Sequence, residues 1–255
     1  MEPILATEEL TIKFGGHTAV DHVSLELYER QFTSIIGPNG AGKTTFFNLL
    51  SGQLPATSGE VFFKGENITK LSPAKRTRKG IGRSFQLTNV FPNLTVLENV
   101  RLAVQSQLGI RYQMFQHFFK YADAIKKAQS LLQLVLLDHK PFALAKHLTH
   151  GEQRKLEIAM LLALETDILL LDEPTAGMSL EDVPQILEVI RNIKEDGNKT
   201  IVLIEHKMDL ILDLSDRVIV LFNGTLLADG SPQEIMDNDT VQSAYLGSLY
   251  DTSTS

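Results

Sequence analysis

The stretch FTSIIGPNGAGKTTFFNLLSG, residues 32–52, constrains this chain more than any other. A short apolar run leads straight into a glycine-rich turn, and helical spacing follows that Gly52 is placed to stop. The turn matches G-x-x-x-x-G-K-[ST] from Gly37 to Thr44. Chance gives that pattern in about one chain of this length in a hundred, at ~7% glycine. Here it also falls between a predicted strand and a predicted helix. Such a turn cradles a phosphate. Gly40 and Gly42 allow backbone amides to wrap an anion where a side chain would obstruct them. The helix from Lys43 points its positive end at the same place. Lys43 can reach β- and γ-phosphates, and Thr44 can offer its hydroxyl to Mg²⁺.

The remaining pattern is that of a layered α/β chain. Leu10, Ile12 and Phe14 alternate with polar residues, as do Val23, Leu25 and Leu27, which predicts half-buried strands. GEVFFKGENI reads as another strand. From roughly Asn89 to Lys146 glycine nearly vanishes and the spacing turns helical, as in ADAIKKAQSLLQLVLL, which predicts a helical insertion. DILLLDEP and KTIVLIEH are short and almost continuously apolar, as strands of a buried parallel sheet are. Between them PQILEVIRNIKEDG is helical. RVIVLFNGTLLADG reads as a hairpin turning at Asn223-Gly224. The tail from Tyr250, YDTSTS, is polar and expected to fray.

Composition removes several classes. A chain of 255 residues, 43% hydrophobic and 22% charged, suits a soluble protein of one large domain or two small ones. No apolar run approaches the ~20 residues of a membrane span. The N-terminus lacks the basic start and apolar stretch of a secretory signal, so a cytoplasmic location is expected. Without cysteine there are no disulfides and no thiolate metal sites. A net charge of −7 argues against nucleic acid as the main partner. The one basic cluster, Lys75, Arg76, Arg78, Lys79 and Arg83, is read as a solvated face.

Two further strand ends carry chemistry. ILLLDEP delivers Asp172 and Glu173 to the edge of a sheet, where ligands bind in such folds. Asp172 suits contact to Mg²⁺ through its hydration shell, and Glu173 suits orienting or deprotonating an attacking water. His206 ends the strand TIVLIEH and could hydrogen-bond a γ-phosphate from the same sheet edge. Gln86, in RSFQ, could lend an amide oxygen to Mg²⁺ but carries almost no signal alone. KHLTHGEQRKLE poses a separate question, because His147, His150 and Glu152 have the crowding of a metal site.

GPNGAGKTT, SFQ, LTHGEQRKLEIA, ILLLDEP and IEH together resemble, in order and spacing, the ATP-binding-cassette ATPases, over Ile4 to Gly247. The resemblance implies a P-loop NTPase core with a mostly parallel sheet. It also implies an N-terminal antiparallel β subdomain and an inserted helical subdomain at about 89–148, all within one domain of residues 1–250. ATP would be held by Gly37, Pro38, Asn39, Gly40, Ala41, Gly42, Lys43, Thr44 and Thr45, with Phe14 stacked on adenine. Thr44, Asp172 and Gln86 would serve Mg²⁺, Gln86 being the lid glutamine that faces a membrane partner. Glu173 would be the catalytic base and His206 the switch histidine. The implied partners are integral-membrane permease subunits, a second head-to-tail ATPase subunit and, indirectly, a substrate-binding protein. The implied location is peripheral, on the cytoplasmic face of the membrane.

LTHGE then stands where the family writes LSGGQ, the segment that closes over ATP held by the second subunit. Thr149 keeps the hydroxyl and Gly151 the close-approach glycine, ahead of a helix aimed at the γ-phosphate. His150 replaces a glycine, Glu152 a glutamine, and Ser179 in AGMSLED the usual aspartate of the D-loop. FGGHTAVDHVSLEL, FPNLTVLENV, PTAGMS, IEHKMDLILDLSDRVIVL and AYLG resemble the ATPases of branched-chain amino-acid importers. Urea or short-amide importers and lipopolysaccharide exporters are related alternatives. A soluble cassette protein acting on DNA or ribosomes usually carries two cassettes or a long coiled coil, absent here. A P-loop kinase or GTPase leaves LTHGE and His206 unexplained, and no Asn-Lys-x-Asp string selects guanine. A non-hydrolysing relative is disfavoured by Lys43, Glu173 and His206.

Overall fold

Five consecutive buried residues in each of three strands organise this molecule, because each strand must be covered on both faces. The computed structural model describes residues 2–84, 90–108 and 117–244. The strands are β1 (Leu5–Phe14), β2 (His17–Leu27), β3 (Phe32–Ile36), β4 (Ser58–Phe63), β5 (Glu66–Asn67), β6 (Ile81–Arg83), β7 (Ile168–Asp172), β8 (Thr200–Ile204), β9 (Arg217–Phe222) and β10 (Thr225–Gly230). The helices are α1 (Lys43–Ser51), α2 (Pro73–Lys79), α3 (Val96–Gln107), α4 (His117–Leu134), α5 (His150–Ala163), α6 (Val183–Glu195), α7 (Met208–Leu214) and α8 (Pro232–Met236).

The strands form two sheets. One is antiparallel, in the order β2-β1-β4-β5, and the other runs β10-β9-β3-β8-β7-β6. In the second sheet only the β9–β10 pairing is antiparallel. Alternation sorts the side chains of β7 and β8 between two cores. Leu169 and Leu171 of β7 and Ile201 and Leu203 of β8 pack with α3, α4, α5 and α6. Ile168, Leu170, Val202 and Ile204 pack with α1 and the antiparallel sheet. The helical stretch buries Ala124, Ala128, Leu131 and Leu132 along α4, which is helical period, and Val135 just beyond its end.

Three expectations are corrected. GEVFFKGENI is a hairpin rather than one strand, because Lys64 (φ 49°) and Gly65 (φ 75°) turn the chain between β4 and β5. Phe14 does not continue the buried face of Leu10 and Ile12. The β1 register shifts after Thr7 and again between Leu10 and Lys13, and Phe14 is left 50% exposed. The basic cluster is not uniformly solvated, since Arg76 is buried. Its Nη1 donates to Leu49 O (2.6 Å) and Leu50 O (2.8 Å), and Nη2 donates to Thr69 O (2.8 Å). A guanidinium thus closes the carbonyl end of α1, which favours a cation. Burial lowers its pKa to about 10. Arg83 is also drawn inside, towards the site described next.

Candidate functional site

The cleft begins where β3 runs into α1. Two glycines of the connecting loop answer to the chain itself. A Cβ on Gly37 would lie 2.1 Å from Leu221 O, and one on Gly42 would lie 2.3 Å from Ala19 O. Gly42 is also in the left-handed region, at φ 93°. Gly40 (φ 81°) has open space around it and faces the cleft. The hairpin turn supports the loop from below, with Gly224 N donating to Ala41 O at 3.2 Å. Gly42 caps α1 without a side-chain hydrogen bond, so no side chain blocks that helix N-terminus.

Lys43 is 6% exposed and its Nζ donates to the carbonyls of Gly37 (2.7 Å) and Pro38 (3.0 Å). Burial lowers its pKa, against the opposing charges of Glu173 and Asp172. Asn39, Ala41, Thr44 and Thr45 line the same cleft, with Phe14, His17 and Ala19 on one wall and Glu173 and His206 on another. The cleft can therefore take a phosphate chain at the loop and a planar apolar group against exposed Phe14.

Glu173 leaves β7 in the left-handed region (φ 45°), a strained position for a non-glycine residue. Its amide donates to Ile204 O at 3.0 Å, which fixes the turn. Its carboxylate accepts from His206 Nε2 at 2.9 Å. His206 is held in turn through its amide, which donates to Glu205 Oε2 at 3.0 Å, while buried Glu205 accepts from Thr175 Oγ1 at 2.5 Å. Glu205 and Thr175 were missed by sequence reasoning, although both lie inside the EPT and IEH strings.

Asp172 is wholly buried, and burial raises its pKa against the opposing charge of Arg83. Its Oδ2 accepts from Arg83 Nη2 at 3.0 Å, its amide donates to Ser84 Oγ at 3.2 Å and its carbonyl accepts from Arg154 Nη2 at 3.2 Å. Oδ1 has no hydrogen-bond partner among the described residues. Gln86 lies outside the described residues.

Thr149, Gly151 and Glu152 are not brought into this cleft. Thr149 caps α5, its Oγ1 accepting from Glu152 N (3.2 Å) while Glu152 Oε2 accepts from Thr149 N (3.0 Å), a complete capping box. Glu152 Oε1 also accepts from Lys140 Nζ at 2.6 Å, with His139 Nε2 4.0 Å away. Burial raises the Glu152 pKa, but Lys140, the Thr149 amide and His139 lower it further, for a net downward shift. Gly151 is buried against Asp182, whose Cγ and Oδ1 would lie 2.9 Å from an added Cβ. Asp182 Oδ2 accepts from Ser179 Oγ at 2.9 Å. His147 and His150 are exposed, and no group of three metal-binding side chains occurs among the described residues.

A P-loop between a parallel strand and a helix, with an acidic strand end and a histidine beside it, defines a nucleotide-binding ATPase core. The chain belongs to the ABC transporter family, whose model matches residues 20–176; a second model, branched-chain amino acid ATP-binding cassette transporter, matches residues 225–250. It is 40% identical to the high-affinity branched-chain amino acid transport ATP-binding protein LivG of Salmonella typhimurium, over 96% of this chain and 98% of that protein. BraF of Pseudomonas aeruginosa, which carries the same description, is 39% identical over 96% and 98%. Among solved structures, the ADP conformation of MJ1267, an ATP-binding cassette of an ABC transporter, matches with a TM-score of 0.81 and 29% identity, covering 97% of this chain and all of that one. A dimeric post-hydrolysis state of the ATP-binding cassette MJ0796, bound to ADP and Pi, matches with a TM-score of 0.74 and 27% identity, over 89% and 98%. The chain is an ATP-binding cassette ATPase, with the P-loop α/β fold and the two sheets expected of it.

Proposed function

We propose that this chain is the ATP-hydrolysing subunit of a branched-chain amino-acid importer. The observation that carries this reading is the near-full-length similarity to LivG and BraF, joined to the match at residues 225–250. Residues 1–250 act as one nucleotide-binding domain in this reading, with the helical subdomain at about 89–148 meeting the permease. No described helix is long and apolar enough to cross a membrane, which suits a peripheral subunit held on the cytoplasmic face by integral partners.

The proposed chemistry follows from the cleft. Residues Gly37 to Thr45 and Phe14 hold ATP, and Lys43 meets its phosphates by charge-assisted hydrogen bonds. Glu173 orients and deprotonates the attacking water, and His206 holds that carboxylate in place. A hydroxyl at Thr44, a carboxylate at Asp172 and an amide at Gln86 are hard oxygen donors that suit Mg²⁺, and the Oδ1 of buried Asp172, without a partner among the described residues, fits that assignment. Thr44, Asp172 and Gln86 would hold that ion, and its charge would offset that of the nucleotide phosphates. Thr149, Gly151 and Glu152 meet the nucleotide of a second ATPase subunit when the two close head to tail.

Transport is the test. The chain is purified with the membrane proteins that accompany it, reconstituted in liposomes with the cognate binding protein, and supplied with MgATP. ATP-dependent accumulation of radiolabelled leucine, isoleucine or valine is the expected result. Accumulation of urea or short amides instead, or ATP-driven release of lipopolysaccharide with no uptake, overturns the substrate assignment.

A further inference from the structure

Arg83 ends β6 with its side chain only 10% exposed, an unusual place for a guanidinium that the cleft does not use directly. Its Nη1 donates to Asn48 Oδ1 (2.6 Å) and Ser51 Oγ (2.9 Å), both on α1. Its Nη2 donates to Asp172 Oδ2 (3.0 Å) on β7. The group also lies over the ring of Phe47, 5.9 Å from its centroid. A guanidinium is a rigid planar fork, so anchoring one nitrogen on α1 fixes where the other meets the carboxylate. Ser84, next in sequence, accepts from the Asp172 amide at 3.2 Å, so consecutive residues grip both the backbone and the side chain of Asp172.

We propose that Arg83 is a positioning residue that registers the Asp172 carboxylate to the phosphate-loop helix, leaving Oδ1 presented for the divalent cation that accompanies the nucleotide. This rests on the proposed function of the cleft. The phosphate-loop helix and the acidic strand end are far apart in sequence, and one side chain bonds to both. Simple neutralisation of a buried carboxylate is the competing role, and it differs in one respect. Any cation at residue 83 neutralises, whereas only a fork reaches Asn48, Ser51 and Asp172 together. Breaking one partner of a buried pair is costly in either case, so stability alone does not separate them.

The test uses the full chain and a fluorescent ATP analogue, first in EDTA and then with Mg²⁺ titrated in. Arg83→Met is expected to leave binding in EDTA unchanged while the Mg²⁺ concentration for half-maximal effect rises about 10–100-fold, as when the group orienting a metal ligand is lost. Arg83→Lys raises it as well, despite keeping the charge. The pair Asn48→Ala and Ser51→Ala, which spares both Arg83 and Asp172, raises it by less. An Arg83→Lys protein with the wild-type Mg²⁺ midpoint reduces Arg83 to neutralisation and overturns the proposal. So does loss of nucleotide binding in EDTA together with the Mg²⁺ effect, or failure of both Arg83 variants to fold. If the wild-type protein itself binds no analogue, the reading of the cleft falls first and takes the proposal with it.

Discussion

Two helix N-termini in this chain face opposite fates. At α1 the cap is Gly42, which offers no side-chain hydrogen bond to the first-turn amides. At α5 the cap is Thr149, and a full capping box with Glu152 takes the amides of Glu152 and Thr149. The first terminus carries no side-chain cap, with Lys43 beside it. The second has the amides of Thr149 and Glu152 and its one acidic side chain engaged within the chain, and Lys140 offsets the charge of Glu152. Thr149 retains only its hydroxyl proton for an outside acceptor. Similar strand-or-loop-to-helix patterns thus carry different chemistry according to what caps them. The proposed nucleotide cleft opens on an uncapped helix end, whereas the LTHGE segment closes its own.

The largest effect that can break this contrast lies in the cleft. Glu173→Gln keeps the shape of the side chain and its contact to His206 but removes the base, so turnover should fall by ~10²-fold or more while nucleotide binding persists. Steady-state ATPase and equilibrium binding measured on the same preparation decide it, and near-wild-type turnover contradicts the assignment.

A smaller effect tests the LTHGE segment. Gly151→Ala presses a Cβ against Asp182 and should destabilise the fold by about 1–3 kcal/mol, the range for overpacking a buried site. Adding Asp182→Ala to Gly151→Ala should recover part of that loss. Urea denaturation of the two variants measures it, and equal stability of both would return Gly151 to a purely ligand-facing role.

The smallest effect concerns Lys140, whose pair with Glu152 is partly solvated and worth roughly 0.2–1 kcal/mol. The sign follows from the lowered pKa of Glu152 in the folded chain. Its contribution is fully present above the unfolded carboxylate value and is lost as pH falls through the folded one. Lys140→Met should remove that increment, so the mutant and wild-type stabilities converge in acid and separate at neutral pH. A pH series of denaturation curves that stays parallel would refute the pairing.

How much of this was legible before any coordinates existed follows the range of the interactions. GPNGAGKT is one contiguous string, and Lys43 bonds to Gly37 and Pro38 within it, although the demand for glycine at Gly37 and Gly42 comes from Leu221 and Ala19. Period-two and near-continuous apolar runs gave the strands for the same reason, as Ile168 to Leu171 illustrate. The errors arose where distant contacts decide. Phe14 left the core because the β1 register shifts, and Arg76 was drawn inside by the carbonyl end of α1.

The class of fold, the phosphate loop, the acidic strand end and the histidine beyond it could be read from residue order alone, because these are written as contiguous strings. Only the tertiary structure decided which cation meets Asp172, why Gly151 is a glycine, and that Glu205 and Thr175 stand behind His206. Arg83, Asp182 and Lys140 carry no local pattern that marks them. Their roles depend on groups brought together from separate elements, and a buried or half-buried charge is placed by whichever partner the fold delivers to it.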